Sequence, residues 1–369
     1  MMLQRSTLRH ALHSVVHLPG QRVKVEPGAT GVVRSVRDYV SDELNEPWRY
    51  EELRPSETIR RGSPNTLETD PPEVFERLAV HEHPAVFRVR LPGARVAGLE
   101  PIVFTDDRRA LAESAFDREQ LDANRAMHGR LPVTRRVRGT CAVMTNQWWS
   151  GHFHWMLDTL PRIALLPADA SNRLLLSAPL GPAQRRSLEL AGIAKDAFVS
   201  FHGGHVQIED AILPSLPGRT GNPPRWALEW LRERLSPAPR RSGRRLYVSR
   251  GDVPRRRLRN EDALIEALRP LGFEVVLPGQ LPLEEQLRTF AEAEFVVAPH
   301  GGALVNMLSS QEATLVEIFD PRYVNGCYYA LTDALDLGYW YVVGEAAAED
   351  DFTVRPEAVV DTLRAAGAA

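Results

Sequence analysis

From Arg245 onward, short apolar runs alternate with amphipathic stretches, and this alternation constrains the fold more than any other feature of the chain. Strand-like Arg245-Leu-Tyr-Val-Ser249 precedes a helical pattern over Glu261 to Leu271. The series continues with strand Phe273 to Leu277, helix Leu283 to Ala293, strand Phe295 to Ala298, helix Ala303 to Ser309 and strand Thr314 to Phe319. A strand at Tyr339 to Val343 and an amphipathic helix within Pro356 to Ala366 follow. A strand–helix–strand repeat predicts a parallel sheet covered by helices, with its ligand at the carboxyl ends of the strands.

The first half repeats the pattern less cleanly. A strand over Gly139 to Thr145 leads through Asn146-Gln-Trp-Trp-Ser-Gly151 into a helical stretch, His152 to Leu166, in which Pro161 marks a kink. Strand Arg173 to Ser177, helix Ala183 to Gly192 and strand Ala197 to Phe201 come next, and Pro and Gly concentrate from Pro214 to Pro224 before a helix at Trp226 to Leu235. Val86 to Arg90 and Pro101 to Phe104 read as a small β layer ahead of this domain. Gln21 to Glu26 and Gly31 to Val36 are strand-like, and the clusters near 55 to 65 read as a linker. The expected division is 1–75 as an extension, 76–222 as a first α/β domain, 223–355 as a second, and 356–369 as a terminal helix.

A length of 369 residues gives a prior of about two domains. The net charge of -3 argues against a general nucleic-acid binder. Of the 45 basic residues only Lys24 and Lys195 are lysines, so arginine clusters carry more weight here than single arginines. Two cysteines, Cys141 and Cys327, are too few for a disulfide framework. No apolar run approaches the roughly 20 residues of a membrane span, and Met1 to His10 lacks a signal-peptide core, so a cytoplasmic protein is expected.

Three features project to one edge of the second sheet. They are Val248-Ser-Arg-Gly-Asp252 with Arg255-Arg-Arg-Leu-Arg-Asn-Glu261, the turn Pro299-His300-Gly301-Gly302 before a helix, and Glu317 near the end of the next strand. Glycines allow close backbone approach, a helix N-terminus favours an anion, and arginines stabilise a diphosphate as its charge builds. A carboxylate at a neighbouring strand end can accept from a ribose diol. The plainer alternatives are a solvated arginine loop, Asn260 as a helix cap, and Glu317 as a surface carboxylate.

In the first half His154 and Asp158 share one helical face, which suits general-base chemistry on a hydroxyl or a brace between domains. A metal site from His152, His154 and Asp158 is disfavoured, because His-x-His splits the imidazoles around a helix. Strict Asp-x-Asp and the G-x-S-x-G elbow are both absent from the chain.

The series His154-Trp-Met-Leu-Asp-Thr-Leu-Pro-Arg162, Tyr247-Val-Ser-Arg250, Arg255 to Glu261, Phe273-Glu-Val-Val276, Val297-Ala-Pro-His-Gly-Gly-Ala-Leu-Val-Asn306, Thr314 to Phe319 and Tyr323-Val-Asn-Gly-Cys-Tyr328 resembles glycosyltransferase family 61 over roughly residues 139 to 345. The resemblance implies a GT-B fold, with two Rossmann-like domains facing across a cleft after a small β-rich N-terminal region. It implies an inverting, metal-independent transferase with no cofactor, using a nucleotide-sugar donor, a UDP-sugar as first guess. A glycan or lipid-linked glycan is the implied acceptor, in capsule or polysaccharide biosynthesis, and a lipid-linked one would bring peripheral membrane contact. The donor-binding set is Ser249, Arg250, Arg257, Asn260, His300, Gly301, Gly302, Ala303, Asn306 and Glu317, with Asp158 or His154 as base. Gly151-His152 departs from the Asn-Tyr common in relatives, and Gly302 stands where Ala is usual. The competing readings are a non-catalytic nucleotide-sugar binder and a nicotinamide-dependent oxidoreductase; the latter is disfavoured by the missing three-glycine fingerprint.

Overall fold

A computed structural model describes residues 25–41, 49–132, 134–168, 170, 173–237, 243–253 and 255–368. Residues 21–24 of the first strand-like piece and the Met1 to His10 stretch lie outside the described residues.

The second half forms a six-stranded, wholly parallel sheet in the order Phe273–Val276, Arg244–Val248, Ala293–Pro299, Thr314–Phe319, Gly338–Val343 and Asn65–Thr66. Its central strands are buried on both faces, which explains their unbroken apolar runs. The chain moves outward from Arg244–Val248 to Phe273–Val276, then returns to the other side with Ala293–Pro299. The topological switch point therefore falls between Arg244–Val248 and Ala293–Pro299, where a doubly wound sheet opens a crevice at its carboxyl edge.

The sixth strand was not foreseen. Asn65–Thr66 comes from a stretch expected to be a linker, yet it pairs with Gly338–Val343, and Glu57–Arg60 pairs with Val80–His83. The reason is tertiary. Phe75 stacks on Tyr341 at 4.6 Å, Tyr329 donates to the Gly62 carbonyl, and Arg61 Nε and Nη1 each reach 3.1 Å partners in Asp333 and Asn222. Residues 61–75 thus strap the far edge of the second sheet.

The first half is a ten-stranded mixed sheet. Phe198–Phe201, Leu174–Ser177, Arg135–Val143 and His205–Pro214 are mutually parallel. The ten-residue strand His205–Pro214, which periodicity alone did not reveal, also pairs antiparallel with Val86–Pro92 and Arg95–Ala97. The expected separate β layer is therefore the antiparallel wing of the same sheet, because one long strand presents both of its hydrogen-bonding edges.

The two halves share one apolar cluster in which Trp155, Met156 and Leu160 lie with Leu304, Val305 and Leu308. Helix Arg225–Leu235 buries Ala227, Leu228, Leu231 and Leu235 along one face. It contacts both Leu160–Leu165 and Gly302–Ser309, and Arg232 Nε donates to Leu308 O at 2.7 Å, placing a cation at that helix's C-terminus. No helix among the described residues is long and apolar enough to cross a membrane.

Candidate active site

At the switch point, Ser249-Arg250 leaves one strand and His300-Gly301 leaves the next. Ser249 Oγ accepts the Gly251 N–H at 3.0 Å and shapes the exit turn. Arg250 then lies directly over Gly301. A Cβ at Gly301 would stand 2.0 Å from Arg250 Nη1 and 3.1 Å from its Cζ, so the absence of a side chain is what admits the guanidinium. Burial, and then the charge of Arg256, hold the Arg250 pKa below its ordinary value, and its Nε has no hydrogen-bond partner. The backbone passes at once into the 3-10 helix Gly302–Ser309, whose first N–H groups have no partner within the helix.

His300 donates its backbone N–H to Ile318 O at 2.9 Å, and its Nδ1 lies 2.5 Å from Glu317 Oε1. Tyr339 Oη donates to Glu317 Oε2 at 2.7 Å. Glu317 is 0% exposed with both oxygens engaged, which corrects the expectation that it meets a ribose diol. It sits behind His300 and orients that ring.

The arginine run divides by partner. Arg255 pairs with Asp350 at 3.2 Å and Arg259 with Asp351 at 2.5 Å, while the Arg257 backbone N–H bonds Asp351 Oδ1 at 2.8 Å. These contacts tie the segment to residues 350–351. Arg250, Arg256 and the exposed Arg257 side chain have no carboxylate within ion-pair distance among the described residues. Arg256, which sequence reasoning did not single out, takes a left-handed φ of 53° and stands 4.2 Å from the centroid of Tyr323. Arg256, His300, Asp320, Tyr323 and Phe352 line a small recess.

On the opposite side, the helix from His152 to Leu165 is α at His152–His154, π over Trp155–Thr159 and 3-10 over Leu160–Leu165. Pro161 has no N–H for a regular α-helical bond, and the irregular turns occur around it. Within them His154 Nδ1 lies 2.7 Å from Asp158 Oδ2, to which Thr220 Oγ1 also donates at 2.8 Å. Asp158 is buried and His154 is partly exposed. Beside Asp158, the fully buried Arg162 donates to the carbonyls of Val143, Thr145, Pro214 and Ser215, clamping two strand ends. Burial lowers its pKa to about 10, against the raising effect of Asp158.

The two imidazole–carboxylate pairs meet through aromatic rings. His154 touches Phe153 at 5.2 Å, Phe153 touches Tyr328 at 5.8 Å, and Tyr328 touches His300 at 5.3 Å. The buried Cys327 lies near both carboxylates: burial, then Glu317, and more weakly Asp158, push its thiol pKa well up. Thr220, Phe153 and Tyr328 carried no separate signal in the sequence, since only tertiary packing brings them to the pairs.

Other expected donor contacts move elsewhere. Asn260 Nδ2 donates to Val354 O at 2.7 Å and its Oδ1 accepts from Val354 N at 3.2 Å; it neither caps the helix nor is free for a ligand. Asn306 is fully buried, with Nδ2 on Gln286 Oε1 at 3.1 Å, and it faces His152 across the junction of the halves. That is an interior position, away from the donor edge. Burial holds His152 below its ordinary pKa, with Asn306 opposing. No cluster of three or more His, Cys, Asp or Glu side chains suited to a metal ion occurs among the described residues. Gly302 is exposed and a Cβ there meets nothing within 4 Å, while Ala303 is partly exposed on the same first turn. Gly151 is tighter: a Cβ would lie 3.3 Å from both His154 Cδ2 and Trp148 O, so this departure from relatives keeps the His154 surroundings open.

The family model described as Glycosyltransferase 61 matches residues 152–316. The matched stretch holds His154, Asp158, Arg250 and His300, with Glu317 immediately beyond it, and this similarity supports a glycosyltransferase. No curated protein matches the chain.

Proposed function

We propose that the chain is an inverting, metal-independent glycosyltransferase of GT-B arrangement that moves a sugar from a nucleotide-sugar donor to an acceptor hydroxyl in cytoplasmic polysaccharide biosynthesis. The observation that carries this reading is the pair of imidazole–carboxylate dyads, His154–Asp158 and His300–Glu317, linked through Phe153 and Tyr328, with arginines that lack a carboxylate partner beside His300 at the switch point. Arg250, Arg256 and Arg257 supply the charge for a departing diphosphate, aided by the first turn of Gly302–Ser309. His300 adds the ring nitrogen not engaged by Glu317.

The base is His154. Asp158, buried and doubly bonded, holds the proton on Nδ1 and leaves Nε2 to take the acceptor proton. The acceptor oxygen attacks the anomeric carbon as the bond to the diphosphate breaks, with inversion. Asp158 then steadies the imidazolium. A UDP-sugar is the first donor to try.

The test is a thermal-shift panel with UDP, GDP, CMP and NAD, each with and without EDTA. A ligand at about 100 times its Kd adds about 2.7 kcal/mol of stability. Stabilisation by one of UDP, GDP or CMP, unchanged by EDTA, is the expected result. Stabilisation by NAD alone overturns the reading.

A further inference from the structure

Thr220, the second donor to Asp158, stands in a stretch, residues 215–224, that forms neither helix nor strand. Its Oγ1 lies 2.8 Å from Asp158 Oδ2 and 3.3 Å from His154 Nδ1, beside the bond that joins the two. A hydroxyl on such a segment is only as well placed as the loop that carries it. The Asn222 N–H bonds the Arg219 carbonyl at 2.9 Å and Gly221 takes a left-handed φ of 84°, which closes the chain around Thr220 into a tight turn.

What holds the turn comes from far along the chain. Arg61 Nη1 donates to Asn222 Oδ1 at 3.1 Å across 161 positions and to the Leu78 carbonyl at 3.1 Å, and Nε reaches Asp333 Oδ2 at 3.1 Å. The arginine side chain is 1% exposed, and its planar guanidinium fixes the three directions together. Its own backbone is pinned where Glu57–Arg60 pairs with Val80–His83, by the Arg61 N–H on the Ala79 carbonyl at 2.8 Å. Asp333 belongs to the helix Cys327–Ala334, whose Cys327 Cβ would stand 3.9 Å from a Cβ at Gly221. Arg61 therefore ties the Thr220 turn both to the strap and to the helix that carries Tyr328.

We propose that Arg61 is a positioning residue for the His154–Asp158 pair, holding Thr220 on the carboxylate through Asn222 and the turn at 219–222. Asp158 Oδ2 meets both the imidazole and the hydroxyl, so the Thr220 donor sets which way the carboxylate faces. With the turn released, the carboxylate can rotate, and the proton on Nδ1 loses its fixed acceptor. The strap at the far edge of the second sheet thus acts on a pair formed in the first half of the chain. The catalytic consequence rests on the transferase reading of His154, but the coupling of Arg61 to the pair does not.

The full chain, carrying isotopically labelled histidine, is followed by the His154 Nδ1–H proton resonance, assigned by its loss in His154→Gln. Turnover is read as UDP release from UDP-glucose, UDP-xylose and UDP-N-acetylglucosamine, with the thermal midpoint and the affinities for UDP, GDP and CMP measured beside it. Arg61→Met, Asn222→Leu and Thr220→Val should each speed exchange of that proton with water about tenfold and slow UDP release about three- to tenfold, with nucleotide affinity kept. Asn222→Asp, which keeps an acceptor for Arg61, and Thr220→Ser, which keeps the hydroxyl, should both behave as the unaltered chain. In the double variant Asn222→Leu with Thr220→Val, the loss should equal that of Thr220→Val alone, because the two act in series. Should Arg61→Met or Asn222→Leu fail to fold, Asn222→Ala takes its place. A merely structural contact would lower the midpoint and leave the His154 proton and UDP release unchanged, which overturns the proposal. Losses that add in the double variant, or a perturbed proton with unchanged turnover, do the same. If the proton responds as expected but none of UDP, GDP and CMP binds, the transferase reading fails while the coupling stands.

Discussion

Replacing Gly301 by alanine should uncouple donor binding from folding. The backbone φ there is -175°, extended and open to any residue, so an alanine fits the main chain. It cannot coexist with Arg250 as placed, because its Cβ would sit 2.0 Å from Nη1. A normal contact is about 3.5 Å, so the guanidinium must withdraw by roughly 1.5 Å, beyond hydrogen-bond reach of the phosphate oxygen proposed for it. Hydrogen bonds to charged groups are worth about 1.5–3 kcal/mol, so nucleotide affinity should fall roughly 10- to 150-fold. Stability should change little, since Arg250 has no carboxylate partner to lose. Gly302→Ala is the control, as its Cβ meets nothing within 4 Å. Calorimetric titration of the nucleotide that stabilises the fold, with a thermal midpoint for each variant, decides the matter. Wild-type affinity in Gly301→Ala, or an equal loss in Gly302→Ala, would refute the reasoning.

Three further outcomes are expected. His154→Ala and Asp158→Asn should each reduce transfer about 10²- to 10⁴-fold with nucleotide affinity kept, read as nucleotide release in a coupled assay; unchanged turnover would make the pair a brace. Tyr339→Phe leaves Glu317 Oε2 buried without its 2.7 Å donor, and should cost about 1–3 kcal/mol in urea denaturation. His81 and His83 are each lowered from 6.5 to about 4, chiefly by burial, with Arg61 adding to both and the His83 charge to His81. The unfolded chain then binds protons first as pH falls, so stability should be level above about 6.5 and decline towards about 4. His83→Gln should make that decline shallower in thermal midpoints across the window, and an unaltered slope would assign it to other groups.

The sequence by itself determined the second sheet and the edge where its site residues gather. Alternating apolar runs are a local signal, and right-handed crossover connections leave few ways to lay them out, so the switch point followed with little further information. The spacing of His154 and Asp158 likewise set their approach, because four residues span one helical turn. What only the tertiary structure decided is which neighbour each polar group meets. Glu317 and Asn306 lie on the same stretch of sequence as His300, yet one is enclosed behind its ring and the other faces the opposite half of the molecule. Asn260 turns to Val354, far along the chain, and residues 61–75 strap a sheet edge formed some 270 positions later. Those choices depend on burial and on partners distant in sequence, where periodicity carries no information. The left-handed backbones of Trp148 and Arg256 belong with them, since side chains of this size hold that conformation only where the surrounding fold enforces it.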